Sequence, residues 1–217
     1  MDVGIIGGTG PAGKGLGLRL AAAGMSVAIG SRDPARAAGI VEEMTALWSG
    51  RIEGALQGVA NADAAGGKVV VLATPWEGAV ETVSELAGRL EGKVLVSMVS
   101  ALVRVGREML PLVPPRGSFA AAVQAALPRT KVAAAFHHLP AREMRDLDSG
   151  LIADVLVCSD DPEATAETMS LVERIEGLRP LDAGSLSQAS AIETFTSVFA
   201  TLNIRHRAHS TLKLAGI

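Results

Sequence analysis

The sequence predicts an α/β protein: a Rossmann-type, doubly wound and mostly parallel sheet with a small C-terminal helical extension. Three observations predict it. Short apolar runs alternate with stretches of helical period along most of the 217 residues. A G-x-G-x-x-G spacing at Gly8, Gly10 and Gly13 falls between the first run and the first helix. The clearest runs are apolar throughout rather than alternating, as strands of a parallel sheet covered on both faces must be. A chain of this length accommodates one large domain with an appendage. We expect a nucleotide-binding domain over residues 1–184 and a helical segment over 185–217 that closes the site.

In chain order, Val3 to Ile6 is a buried first strand stopped by Gly7 and Gly8. The spacing of Leu16, Leu20 and Ala23 gives a helix over 12–22, which Gly24 ends. "MSVAIGS" is the second strand, and Asp33 and Pro34 are the cap and first position of the helix "ARAAGIVEEMTALW". Residues 49–68 are rich in Gly and Ala and weakly patterned; they read as a domain edge with one short helix near 61–65. "VVVLATP" is the clearest buried strand, and Ala79, Val83, Leu86, Ala87 and Leu90 place a helix over 76–90. "KVLVSMVSAL" continues the alternation; Pro111, Pro114 and Pro115 then mark a turn-rich excursion before a helix over 119–126. "KVAAAFHHLP", "ADVLVCSDD" and "GLRPLDAG" read as three further strands, with a helix over 163–175 between the last two. Residues 187–214 lack a strong breaker and form one long helix or two.

Composition removes several classes of function. A net charge of −3, with "RHRAH" as the only basic cluster, leaves no footprint for nucleic acid. Cys158 is the only cysteine, so neither an intrachain disulfide nor a paired-thiolate metal site is possible. His206 and His209 lie three apart but have no third ligand beside them, so no metal is expected. Neither a signal peptide nor a spanning apolar run stands out, which makes a cytoplasmic protein without membrane contact the expectation.

The glycine loop carries the chemistry. Gly8 permits the tight turn, Gly10 lets a pyrophosphate approach the backbone, and Gly13 lets helix and strand pack closely. Pro11 and Ala12 at the helix start border the phosphates, which the helix amides bind without a side-chain cation. Thr9 either donates to phosphate or closes the turn. A glycine turn that only packs tightly is the alternative to nucleotide binding. After the second strand, an NAD site places an acid on the ribose hydroxyls, but here Ser31 and Arg32 stand, with no carboxylate before Asp33. A 2'-phosphate needs donors and positive charge where a carboxylate would repel it, so NADP(H) is preferred. Arg36 either adds a second cation or is a solvated helix start.

Ligands of open sheets lie beyond the C-terminal strand ends, so Thr74, Pro75 and Trp76 flank the nicotinamide half. Trp76 either walls the ring pocket or is a core residue. His137 and His138 end a later strand on the same side. An alcohol dehydrogenation would need one of them to manage the hydroxyl proton, whereas hydride transfer between two conjugated rings needs mainly stacked placement. The chain has no Tyr, which excludes a Tyr-x-x-x-Lys site.

Taken together and in order, "GGTGPAGKGLGLRLAAAG", "IGSRDPARA", "VLATPWEGAV", "AAAFHHLPA", "VLVCSDD" and "GLRPLDAGSLSQASAIE" resemble the NADPH-dependent reductases of coenzyme F420, the 8-hydroxy-5-deazaflavin carrier. The resemblance runs over nearly the whole chain. It implies reversible hydride transfer between C4 of NADP(H) and C5 of the deazaflavin, with coenzyme F420 as co-substrate. Thr9, Ser31 and Arg32 would then contact the NADP, the last two at its 2'-phosphate. His137 and Trp76, the catalytic candidates, would lie with Pro75 around the stacked rings, and backbone amides near Met98 and Val99 would polarise the deazaflavin. The "SMVSAL" stretch from Ser97 to Leu102 departs from the family's pattern on that side.

A homodimer through the C-terminal helices is also implied, over the apolar face of Leu186, Ile192, Phe195, Val198, Phe199, Leu202 and Leu212. The same face is equally legible as core against the sheet, and Glu193 within it reads as a cap or bridge. Two other functions fit the glycine loop: an NADP-dependent dehydrogenase or reductase of the 6-phosphogluconate or β-hydroxyacid superfamily, and a non-enzymatic NADP(H) sensor.

Overall fold

The computed structural model describes all of residues 1–217. The chain forms ten strands and nine helices: β1 (Val3–Ile6), α1 (Pro11–Ala22), β2 (Val27–Ser31), α2 (Pro34–Leu47), β3 (Leu56–Ala60), α3 (Asn61–Ala64), β4 (Val69–Leu72), α4 (Ala79–Glu85), α5 (Ala87–Leu90) and β5 (Val94–Ser97) in the first half. The second half contributes β6 (Leu102–Val105), β7 (Glu108–Pro111), α6 (Phe119–Ala126), β8 (Lys131–Ala134), α7 (Ala141–Met144), β9 (Ala153–Ser159), α8 (Pro162–Glu173), β10 (Leu178–Asp182) and α9 (Ala189–His206). Eight strands form one sheet in the order β10-β9-β8-β5-β4-β1-β2-β3. All neighbours are parallel except β8 and β9, so β9 and β10 run against the rest.

The sheet has no wet face at its centre, which explains the unbroken apolar runs. Side chains alternate across a strand: Val3 and Ile5 enter one core with Val69, Val71 and Val96, while Ile6 enters the other with Val70, Leu72 and Leu95. Leu16 and Leu20 bring α1 to the first core, and Val83 and Val123 bring α4 and α6 to the second. Asp33 caps α2 as expected: its carboxylate accepts from the amides of Ala35 and Arg36 at 3.0 and 3.2 Å, with Pro34 at the first helical position.

Several elements differ from expectation. Residues 56–60 form the edge strand β3, whose weak pattern has a packing cause. A Cβ on Gly58 would lie 2.3 Å from the α2 backbone at Ala37, so closeness of helix and strand displaces the branched residues that mark a strand. The excursion near Pro111 contains the antiparallel hairpin of β6 and β7, turned at Gly106 with φ +60°. The helix over 76–90 is three pieces, a 3-10 turn at Trp76–Gly78 followed by α4 and α5. β8 stops at Ala134, so both histidines lie in the loop beyond it. That loop turns at Phe136, whose φ of +68° is rare for a bulky residue. α9 ends at His206 where Arg207 turns left-handed (φ +52°), and 208–217 continue without regular structure. The predicted apolar face divides: Leu186, in the 3-10 turn before α9, and Ile192 and Phe199 are core, whereas Phe195, Val198 and Leu202 face outward.

Candidate functional site

The sheet changes winding direction at β1, because β2 lies on one side of it and β4 on the other. The loops leaving β1 and β4 must diverge there, which opens a crevice at the C-terminal strand ends. A cleft of about 790 Å³ occupies that place, lined by Gly7, Thr9, Gly10, Pro11 and Ala12 from the first loop, Ser31, Arg32, Asp33 and Arg36 from the second, and Thr74 and Pro75 from the third. Each part follows from local sequence. A Cβ on Gly13 would sit 2.7 Å from Gly8 Cα, so the helix presses on the turn as the third glycine of the motif allows. A Cβ on Gly10 would meet no protein atom nearer than 3.8 Å, so the space beside it belongs to the cleft. Gly10 caps α1 without a side-chain hydrogen bond, leaving the first amides of the helix free for an anion.

The electrostatics favour a phosphorylated ribose. Arg32 and Arg36 are exposed at the cleft mouth and form no ion pair. The Asp33 carboxylate is engaged by its own helix start, and its amide donates to Ser31 Oγ at 3.1 Å, which holds the buried Ser31 at the cleft floor.

The sequence reading missed Gly7, Asp33, Asn61, Ala73, Glu77, Gly78 and Thr82 as lining residues. Asn61 also organises the loop: its Oδ1 accepts the Gly7 amide at 3.0 Å, where Gly7 takes φ +70°. The short predicted helix near residue 61 was the only signal for it. Its partner lies 54 residues earlier, beyond any local pattern.

Gly8 and Gly13 shape the turn from beneath, while Trp76, Met98, Val99 and His137 do not line this cleft. Trp76 packs edge-on to Phe119 at a centroid distance of 6.0 Å. One expectation needs correction: the Met98 amide donates to Leu72 O at 3.2 Å, and the Val99 amide meets Ser97 Oγ at 3.5 Å. The sheet ladder continues past β5, so the Met98 amide is not available to a ligand.

Beyond the adjacent strands β4, β5 and β8, the side chains carry polar atoms without partners. Thr74 Oγ1, Ser100 Oγ and both ring nitrogens of His137 are buried and make no hydrogen bond. Such groups are costly in a folded protein unless a ligand or water completes them. Burial, with His138 beside it, pushes His137 down to about 3, so its ring is neutral at neutral pH. His138 is also lowered by burial, against the opposing effect of the Asp154 carbonyl, which its Nε2 meets at 2.7 Å. A carbonyl only accepts, so Nε2 carries the proton and the tautomer is set.

The histidine loop is fastened to the nucleotide half. Arg19 of α1 reaches the carbonyls of Glu143, Asp146 and Ser149 at 2.8, 2.6 and 2.9 Å, and α7 approaches so closely that a Cβ on Gly15 would lie 2.5 Å from Met144 Cβ. On the other side, Glu193 of α9 accepts the Phe119 and Ala120 amides at 2.7 and 2.9 Å. It is therefore the cap that the sequence allowed, not a free acid. Cys158 is buried and pushed up to about 12, chiefly by burial, which leaves it an inert apolar residue.

Comparison with known proteins agrees with this geometry. The family model for coenzyme F420-dependent NADP oxidoreductases matches residues 2–101, which hold the whole cleft lining. The F420-dependent NADP reductase of Methanocaldococcus jannaschii is 36% identical over 215 residues, covering 97% of this chain and 96% of the relative. That of Methanothermobacter thermautotrophicus is 33% identical, covering 97% and 92%. A crystal structure from Arthrobacter sp. FB24, provisionally named an F420-dependent NADP reductase, superposes with a TM-score of 0.80 at 26% identity over 100% of both chains. With the dinucleotide cleft at the switch point and relatives aligned along almost its full length, the chain belongs to the family of F420-dependent NADP reductases.

Proposed function

We propose that the chain transfers hydride reversibly between C4 of NADP(H) and C5 of the 8-hydroxy-5-deazaflavin coenzyme F420, the accompanying proton being exchanged with solvent. The observation that carries the reading is the pairing of two neighbouring features. One is a dinucleotide cleft edged by two unpaired arginines; the other is a set of buried, unpartnered polar groups at Thr74, Ser100 and His137. Family membership supports this reading over a dehydrogenase of a small hydroxyacid or a nucleotide sensor.

Placement supports a role for each residue within this reading. The free amides at the start of α1, with Thr9, Gly10, Pro11 and Ala12, hold the pyrophosphate, while Gly8 and Gly13 set the turn. Ser31 and Arg32 take the 2'-phosphate, and Arg36 adds charge. Thr74, Pro75 and His137 face the rings, with Trp76 supporting the wall through Phe119; Val99 packs in the same core as Phe119, and Met98 against the core on the other face of the sheet. His137, neutral and without a proton relay, acts by hydrogen bonding and shape rather than as acid or base. The reaction needs none, because hydride passes directly between two rings held at reacting distance.

We also infer a homodimer in the cytoplasm. The outward row of Phe195, Val198 and Leu202 on α9 is the surface that a second copy would cover, within the helical segment 185–217 that closes the domain.

Anaerobic stopped-flow spectroscopy of the protein with NADPH and oxidised coenzyme F420 tests the reading. The expected result is rapid bleaching of the deazaflavin band with NADPH and little with NADH. Tight NADPH binding without bleaching would leave the nucleotide and overturn the second substrate.

A further inference from the structure

The left-handed turn at Phe136 leaves an opening in the sheet. β8 pairs with β9 only at Ala133–Ser159 and Ala134–Cys158, after which the chain bends away. The rest of that edge of β9 is filled from two directions, and both meet at Asp154. Its carbonyl takes the His138 ring at 2.7 Å, and its amide donates to Leu212 O at 2.8 Å. Its carboxylate, fully buried, is gripped by Arg179 of β10 through Nε and a terminal nitrogen at 2.8 and 2.7 Å. It also accepts Lys213 Nζ at 2.7 Å and the Leu214 amide at 2.6 Å. Arg179 in turn donates to the carbonyls of Leu214 and Ile217 at 2.8 and 2.7 Å. Residues 209–217 are thus a strap laid on β9, closed at its near end by His209 against Glu143 of α7 at 2.5 Å.

We infer that Asp154 is a positioning residue for the ring site: through the clasp with Arg179 and Lys213 it fixes the strap and, on its backbone side, the His138 ring and hence the neighbouring His137. The physical reason is the shared residue. A buried carboxylate with two cations and an amide cannot shift without leaving charges uncompensated, so the β9 backbone at that point is rigid. The His138 ring is held between that backbone and Phe199 of α9, whose ring lies 5.7 Å away. His137 makes no hydrogen bond of its own that would fix its orientation, so its placement depends on what holds the adjacent residue. Nothing in the dinucleotide cleft touches the clasp, so the strap should bear on the second substrate and not on NADP(H). The inference rests on the proposed function. Bleaching by the wild-type protein tests that reading separately, and the histidine titration below needs neither substrate.

The test compares Lys213→Met, which keeps the Asp154–Arg179 pair intact, with Asp154→Asn and the conservative Lys213→Arg. Four histidines make the imidazole NMR spectrum tractable. The groups facing the His138 ring are the Asp154 carbonyl, the Phe199 ring and His137, and the Asp154 carboxylate acts on it through its charge. In Lys213→Met, amide exchange over 207–217 should quicken, and the His138 Nε2 proton should exchange faster and titrate nearer the free value. The KM for the deazaflavin should rise about tenfold, as for one neutral hydrogen bond from His137 lost through misplacement, while NADPH affinity by fluorescence titration is unchanged. Lys213→Arg should restore all of these. Asp154→Asn should show the same split if folded; if it does not fold, Lys213→Met decides. Three results would overturn the inference: exchange over 207–217 unchanged in Lys213→Met, a released strap with His138 and both substrates unaffected, or equal loss of NADPH and deazaflavin affinity.

Discussion

Among single residues, Gly10 and Gly13 of the phosphate loop separate binding from folding. Gly13→Ala places a methyl 2.7 Å from Gly8 Cα, so it should destabilise the protein by about 1–3 kcal/mol in thermal unfolding. Gly10→Val fills open cleft instead and should abolish NADPH binding in a fluorescence titration with little change in Tm. Arg32 makes no ion pair within the protein, so Arg32→Ala should cost nothing in stability. It should weaken NADPH by about 1.5–3 kcal/mol and leave NADH unaffected, since the guanidinium addresses only the 2'-phosphate. Equal weakening of both nucleotides would move Arg32 out of that role. For His137, held neutral by burial near a pKa of about 3, the rate should show no histidine limb between pH 5 and 8. These residues were legible because their signals are local: a glycine spacing, a cation where an acid is usual, a histidine pair after an apolar run. Asn61 was not, since its duty is to a Gly7 amide far away in sequence.

Elements are joined by a few polar contacts, and these carry the pH dependence. Burial raises Glu193 to about 7 from 4.5, against the two amides that stabilise its charge. Between those values the folded protein keeps a proton that the unfolded chain gives up. Its contribution to stability is therefore full below pH 4.5 and lost as pH rises through 7, by on the order of 3 kcal/mol. Chemical denaturation from pH 4.5 to 8 should show that fall in the wild-type protein and a flatter profile in Glu193→Gln, which mimics the protonated acid. A parallel slope in both would place the titration elsewhere. Helix α2 was readable to its first residue because Asp33 and Pro34 are a local start signal. Strand β3 was not, because contact with α2 replaced its branched residues by Gly58.

For the whole molecule, the outward row on α9 predicts self-association. Replacing Phe195 and Val198 together by Asp should convert a sedimenting dimer to a monomer while leaving the buried Ile192 and Phe199 in place. A monomeric wild-type protein would exclude that surface as a homodimer contact. The sequence by itself determined the central parallel strands, the phosphate loop and the preference for a phosphorylated nucleotide. Each depends on residues adjacent in the chain: apolar runs buried on both faces, glycines at fixed spacing, an arginine directly after a strand. Only the tertiary structure decided that β9 and β10 run against the other strands, that half of the α9 apolar face is core, and that Asp154 meets Arg179 and Lys213. Those outcomes depend on which distant segments share one layer and on what remains to satisfy a buried charge, and no local pattern encodes either.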